Sequence, residues 1–181
     1  MSKILIVSAL ELETNNQLKE YQVLHTGVGK INATYNLTET LLLDCYDLVI
    51  NYGTAGSKVY TGLVDCTKFA QRDMDASPLG FKKGETPYEN YSTIIDFSHI
   101  KNPINHNLCC YTGDSFATNL FKYDGVVDME AYALAKTCRN LEVNFVSYKY
   151  ISDNGNADDW KQNCSKGVNE FKKVLKYYDN I

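Results

Sequence analysis

The sequence predicts an α/β fold built on a largely parallel sheet. Two observations carry the prediction: short apolar runs alternate with helix-patterned segments, and glycine-rich turns stand where those runs end. Bulk composition agrees. The 181 residues are 44% hydrophobic and 22% charged, which suits one domain over residues 1–181 with a core that needs no staples.

The elements follow in order. Lys3–Ala9 is a continuous apolar and β-branched run without alternation, the mark of a strand buried on both faces. It leads into Leu10-Glu-Leu-Glu-Thr-Asn-Asn, a helix opening whose acidic residues suit the positive end of the dipole. A second strand is expected over Tyr21–Thr26, closing on Gly27-Val-Gly-Lys30. From Lys30 to Asp44 the pattern is helical, with Ile31, Thr34, Leu37, Leu41 and Leu42 assigned to one side. Tyr46–Asn51 is a third strand, followed by Gly53-Thr-Ala-Gly-Ser57. Further strands are expected at Leu63–Gln71, Ser92–Phe97, Asn107–Tyr111 and Val143–Ile151, and a helix over Asp128–Asn140 with Met129, Ala133 and Leu134 inward. Pro78–Ile104 reads as irregular. The chain closes on one docked helix whose stripe is Trp160, Cys164, Val168, Phe171, Leu175 and Tyr178, capped by Asp158 or Asp159.

Charge and cysteine usage exclude several classes. The net charge is −4 with no basic stripe, so no nucleic-acid footprint is expected. The apolar run at the N-terminus is too short for a signal peptide or a membrane span, which predicts a cytoplasmic protein with no membrane partner. Six cysteines show no CxxC pair, and His25, His99 and His106 stand near no carboxylate cluster. Free thiols, no metal and no cofactor are the expectation.

Taken singly, the glycine segments read as tight turns; Gly27-Val-Gly-Lys30 fits neither a P-loop nor a GxGxxG fingerprint. Their ordered set says more. Ser8-Ala-Leu-Glu-Leu-Glu13, Gly27-Val-Gly-Lys-Ile-Asn32, Asn51-Tyr-Gly-Thr-Ala-Gly56, Thr112-Gly-Asp-Ser-Phe116 with Val127-Asp-Met-Glu-Ala131, and Ile151-Ser-Asp153 together resemble the nucleoside phosphorylase/nucleosidase superfamily. The resemblance is greatest to the 5′-methylthioadenosine/S-adenosylhomocysteine nucleosidases, and it runs from residue 4 to about residue 153. It implies a three-layer α/β/α phosphorylase-like fold with a central mixed, largely parallel sheet, shortened relative to the family.

The resemblance also implies a chemistry. Cleaving a nucleoside's N-glycosidic bond needs an acid for the departing base, a group that orients water, and anchors for a sugar that becomes oxocarbenium-like. Asp153 matches the family's purine-facing carboxylate, which protonates N7 and favours adenine over a 6-oxopurine; burial should raise its pKa for that work. Glu13 matches the water-activating glutamate. Glu130 matches the one that holds the ribose hydroxyls, with Met129 against the sugar face. Phe116 resembles the aromatic that stacks on the purine, a core Phe being the equal alternative, and the backbone of Ala117 would read the base edge. Thr54, Ala55 and Gly56 resemble the family's Ser-Ala-Gly turn.

Phosphorolytic relatives carry an arginine where this chain has Asn51, and the acidic first loop would repel phosphate. Hydrolysis of an adenine-type purine nucleoside is therefore expected. A phosphorylase, a nucleosidase for another base, or a non-catalytic nucleoside-binding protein are the alternatives. The chain departs from the family in lacking room for a hairpin between Glu13 and Gly27 and a helix between Pro87 and Thr112. Lys149 stands where the family shows an arginine near the water, keeping the charge but not the planar fork. Leu79 and Pro87 lie in a segment resembling the loop that reaches a neighbouring subunit's site, which implies a homodimer; a mobile surface loop is the other reading.

Overall fold

The computed structural model describes residues 3–89 and 92–179. Asn90 and Tyr91, within the stretch expected to be irregular, lie outside the described residues. Among the described residues eight strands join in one sheet: β1 (Ile4–Ser8), β2 (Val23–His25), β3 (Leu48–Gly56), β4 (Leu63–Gln71), β5 (Ile94–Asp96), β6 (Leu108–Thr112), β7 (Val126–Asp128) and β8 (Asn144–Asp153). Their order is β2-β1-β3-β7-β6-β4-β5, with β8 pairing both β3 and β4. The β1–β2, β1–β3, β3–β8, β4–β6 and β6–β7 pairs are parallel. The β3–β7, β4–β5 and β4–β8 pairs are antiparallel. The sheet is mixed and mainly parallel, as expected.

Because Gly56 at the end of β3 meets Val127 of β7, strands β3, β8, β4, β6 and β7 close a ring. A register shift between Ala55 and Gly56 sets Gly56 opposite Asp153. The carboxyl ends of β1, β3 and β8 thus converge with β7, the place where α/β sheets open their clefts.

Helices cover both faces. Leu5, Val7, Val49 and Phe145 pack with Ala33 and Leu37 of α2 (Lys30–Leu43) and with Leu134 and Ala135 of α3 (Ala131–Asn140). The intervening residues Ile6, Ile50, Val146 and Tyr148 pack on the other face with Phe171 and Leu175 of α5 (Val168–Tyr178). Adjacent strand residues serve opposite layers, and that is why these strands read as unbroken apolar runs. Phe171 is wholly buried and stacks on Tyr52 with ring centroids 4.4 Å apart; truncating it to alanine would cost about 3–5 kcal/mol.

Four local expectations are corrected. In α2 the inward residues are Ala33 and Leu37, while Ile31 and Leu42 are 82% and 70% exposed. The helix carries two apolar stripes, and periodicity alone does not say which one faces the sheet. The terminal helix is two, α4 (Ala157–Asn163) and α5, parted before Gly167, where a Cβ would stand 2.3 Å from the Tyr150 ring. The cap of α4 is Asn156, whose side chain accepts from the Asp158 N–H at 2.8 Å, rather than Asp158 or Asp159. Finally, Val126–Asp128 is a strand and α3 begins only at Ala131.

Candidate active site

A cleft at the convergence of strand ends encloses about 750 Å3, its open mouth included, a size that suits a small organic ligand. Its lining includes Glu13, Thr54, Ala55, Gly56, Phe116, Ala117, Met129, Glu130 and Asp153. Nine site residues expected from sequence, drawn from five separate segments, therefore face one space. Ala9, Leu10, Val28, Leu120, Val127 and Trp160 supply apolar wall.

Glu13 sits on α1 (Glu11–Thr14), a single turn that follows β1. It is only 4% exposed and accepts four hydrogen bonds. Oε1 takes the Thr54 N–H and the Thr54 hydroxyl, both at 2.8 Å. Oε2 takes the Ser8 hydroxyl at 3.1 Å and the Leu10 N–H at 3.2 Å. A glutamate in a first helical turn is ordinarily solvated; here β1, β3 and the Leu10 N–H at the start of α1 supply the partners that burial requires.

Asp153 ends β8. Its carboxylate accepts from the Gly155 N–H at 2.8 Å and the Ser152 hydroxyl at 2.9 Å. Burial raises its pKa above the usual carboxylate range, outweighing those two hydrogen bonds. A carboxyl so placed holds a proton closer to neutrality and can pass it to a bound ligand.

Glu130 precedes the first turn of α3 and is 8% exposed. Burial, helped by neighbouring Asp128, pushes its pKa up to about 8, against the opposing pull of Lys149 and the Gly29 N–H. That N–H donates to Glu130 Oε1 at 2.8 Å. Gly29 stands before α2 at φ +92°, a backbone conformation open to glycine and strained for other residues.

Lys149 does not line the cleft. Its side chain is 2% exposed and its Nζ lies 2.9 Å from Asp128 Oδ2. It sits behind the cleft wall: a Cβ built on Gly53 would lie 3.3 Å from Lys149 Nζ and 3.4 Å from Glu13 Oε1. Burial works against its charge, but Asp128, Cys110 and Glu130 outweigh that and raise its pKa above the ordinary lysine value. Asn51 is also away from the cleft; its amide donates to Val7 O at 3.0 Å and accepts from Ser147 at 2.7 Å, tying β1 to β8. Leu79 is 73% exposed on a 3-10 turn. Neither Leu79 nor Pro87 contributes to the lining.

Sequence reasoning missed Ser8, Asp128 and Trp160 as parts of the site. Asp128 is the hub beneath Glu130: it accepts from the Thr112 hydroxyl, from Ala131 N at 2.8 Å and from Glu130 N at 3.2 Å, besides pairing with Lys149. An aspartate embedded in an apolar strand was the available signal, since such a group needs partners. Among the described residues no group of three or more His, Cys, Asp or Glu could hold a metal ion.

Comparison with known proteins places the chain in a family. The family model described as the phosphorylase superfamily matches residues 111–178. A 5′-methylthioadenosine/S-adenosylhomocysteine nucleosidase from Exiguobacterium is 32% identical over 185 residues, covering 84% of this chain and 77% of that one. The chain belongs to the 5′-methylthioadenosine/S-adenosylhomocysteine nucleosidase family. Among solved structures, a Helicobacter pylori member of the family with 5′-methylthioadenosine in its active site superposes with a TM-score of 0.84 at 21% identity, both chains fully covered. Futalosine hydrolase from Helicobacter pylori gives a TM-score of 0.82 at 20% identity, covering 99% of this chain and 98% of that one. At such identities the superpositions establish the shared fold, which is the three-layer phosphorylase-like fold expected from the motifs.

Proposed function

We propose that this chain, acting as one domain, hydrolyses the N-glycosidic bond of an adenine-type purine nucleoside and releases free base and sugar. Asp153 protonates the departing purine. Glu13 orients the attacking water, and Glu130 holds the ribose hydroxyls beside the developing positive charge. Met129 packs against the sugar, and Phe116 with the Ala117 backbone receives the base. The observation that carries the reading is the gathering of Glu13, Glu130 and Asp153 in the lining of one largely apolar cleft.

Water is favoured over phosphate as the nucleophile, on different grounds from Asn51. The start of α2 is a natural anion site, but two of its donors already serve carboxylates: Gly29 N–H is taken by Glu130 and Lys30 N–H by Asp114, both at 2.8 Å. The Lys30 ammonium pairs with Asp73 at 2.7 Å and lies 3.7 Å from Asp114. A phosphate there would have to displace carboxylates.

The deciding experiment incubates the protein with a panel of purine nucleosides in phosphate-free buffer and separates the products. Free adenine without phosphate is the expected result. A phosphate requirement with ribose-1-phosphate among the products would make the chain a phosphorylase; tight binding with no base released would make it a binding protein.

A homodimer in the cytoplasm completes the reading. Ile31, Tyr35 and Leu42 expose an apolar groove between α2 and α3, larger than isolated surface residues make, and Leu79 with Pro87 supplies the loop for a partner's cleft. Free cysteines, of which Cys66, Cys110, Cys138 and Cys164 are buried, suit a reducing compartment. Sedimentation at twice the monomer mass for the wild type, and at monomer mass for Ile31→Asp, is expected.

A further inference from the structure

Trp160 is the chain's sole tryptophan. A stripe at helical spacing makes it look like a packing residue, but α4 has seven residues and none of them is buried. Instead the side chain lines the cleft, and its indole Nε1 donates to the Thr54 hydroxyl oxygen at 3.0 Å. That hydroxyl donates in turn to Glu13 Oε1 at 2.8 Å.

The direction of this chain of bonds is set by chemistry. An indole N–H donates and has no acceptor, while a threonine hydroxyl has one proton and two lone pairs. Receiving from Trp160 uses the oxygen as acceptor, which leaves the single hydroxyl proton to Glu13. Successive bonds pointing the same way polarise one another. The helix is also tied to the acid side of the cleft: α4 follows Asp153 after three residues, and the Asn163 amide donates to the Ser152 carbonyl at 2.8 Å. Trp160 therefore spans from the strand that carries Asp153 to the threonine that holds Glu13.

We propose that Trp160 is a positioning residue for the hydrolysis: its N–H commits the Thr54 hydroxyl to Glu13 and so fixes the carboxylate that aims the attacking water. This rests on the reading of Glu13 as the water-orienting group. Without the indole N–H, the Thr54 hydroxyl can turn toward the cleft, and one of the two bonds at Oε1 is lost while the backbone bond from Thr54 remains.

Having one tryptophan allows an atom-level test. Expression in a tryptophan-requiring host with β-(3-benzothienyl)alanine replaces the indole N–H by sulfur and keeps the ring shape. Loss of one hydrogen bond of ordinary net worth predicts a fall in kcat of about three- to tenfold, with KM within twofold. In a Thr54→Val background, where the middle link is gone, the same replacement should change kcat less than twofold. An unchanged kcat, a change confined to KM, or an equal loss in the Thr54→Val background would overturn the proposal and leave Trp160 as wall. Glu13→Gln separates the two levels. If that variant turns over normally, the parent reading fails; if it is inactive while the sulfur isostere is fully active, only this inference fails.

Discussion

Replacing Lys149 by methionine tests how the floor of the cleft is held. The ammonium and Asp128 are 2% and 0% exposed and 2.9 Å apart, so K149M leaves a buried carboxylate without its counter-charge. Removing one partner of such a pair costs about 3–5 kcal/mol, a large share of the roughly 5–15 kcal/mol that keeps a domain folded. Asp128 keeps the Thr112 hydroxyl and the N–H groups of Ala131 and Glu130, which puts the loss toward the lower figure. At about 2–4 °C per kcal/mol for a chain of this size, the midpoint of thermal unfolding should fall by about 6–20 °C. Burial raises the Asp128 pKa, but Lys149 and the hydrogen bonds more than reverse that and hold it below the usual range. A depressed carboxylate contributes stability above its unfolded pKa and loses it as pH falls through its folded value. The gap between wild type and K149M should therefore narrow in acid. The double variant D128N/K149M, with no charge left to bury, should recover most of the loss. If its loss equals the sum of the two single losses within about 0.5 kcal/mol, the pair is not coupled and the account of the cleft floor is wrong.

Three further outcomes are expected. D153N keeps the shape of the acid but cannot donate its proton, so kcat should drop about 10²–10⁴-fold while thermal unfolding moves little; for the wild type, activity should decline as pH rises through the raised Asp153 pKa, and turnover near wild type in D153N would remove Asp153 from the mechanism. Glu130, with its pKa pushed up to about 8 by burial and Asp128, contributes stability below its unfolded pKa and loses it as pH rises through about 8. E130Q should accordingly unfold at a higher temperature than wild type at pH 9, with the advantage shrinking toward pH 4, and should bind ribose more weakly; an equal or lower unfolding temperature at pH 9 would contradict the burial argument. Because Trp160 lines the cleft, its emission should shift on adding an adenine nucleoside to D153N, and titration without any change would place the ligand elsewhere.

The fold was legible where burial acts on both faces of a strand. Ile4–Ser8 and residues 48–51 feed two core layers at once, so their apolar runs announce themselves without any periodicity; Gly53-Thr-Ala-Gly56, expected as a turn after the strand, instead continues it. Leu63–Gln71 was legible to the residue. Val126–Asp128 was not, because its identity comes from the neighbours that pair with it; the other three-residue strands, Val23–His25 and Ile94–Asp96, lie inside the runs expected at Tyr21–Thr26 and Ser92–Phe97. The split between α4 and α5 was hidden for a related reason: an apolar stripe at helical spacing continues across the break, and the Tyr150 ring that presses on Gly167 there comes from a different segment of the chain.

The site divides along the same line. Glu13, Glu130 and Asp153 could be picked out because each belongs to a short ordered motif, and the cleft does gather them. What holds them could not be read in that way. The partners of Glu13 come from Ser8, Leu10 and Thr54, Thr54 is reached by an indole 106 residues further along the chain, and Glu130 leans on Gly29, 101 residues before it. Motifs record the groups that meet the ligand, whereas the bonds that fix those groups run between segments whose approach exists only after folding. Lys149 shows the consequence. Its charge and its place near the motif Ile-Ser-Asp suggest contact with the ligand, yet its ammonium is spent on Asp128 behind the wall. Its effect on the cleft therefore passes through the backbone and through Glu130, so substitutions there should move stability before they move binding.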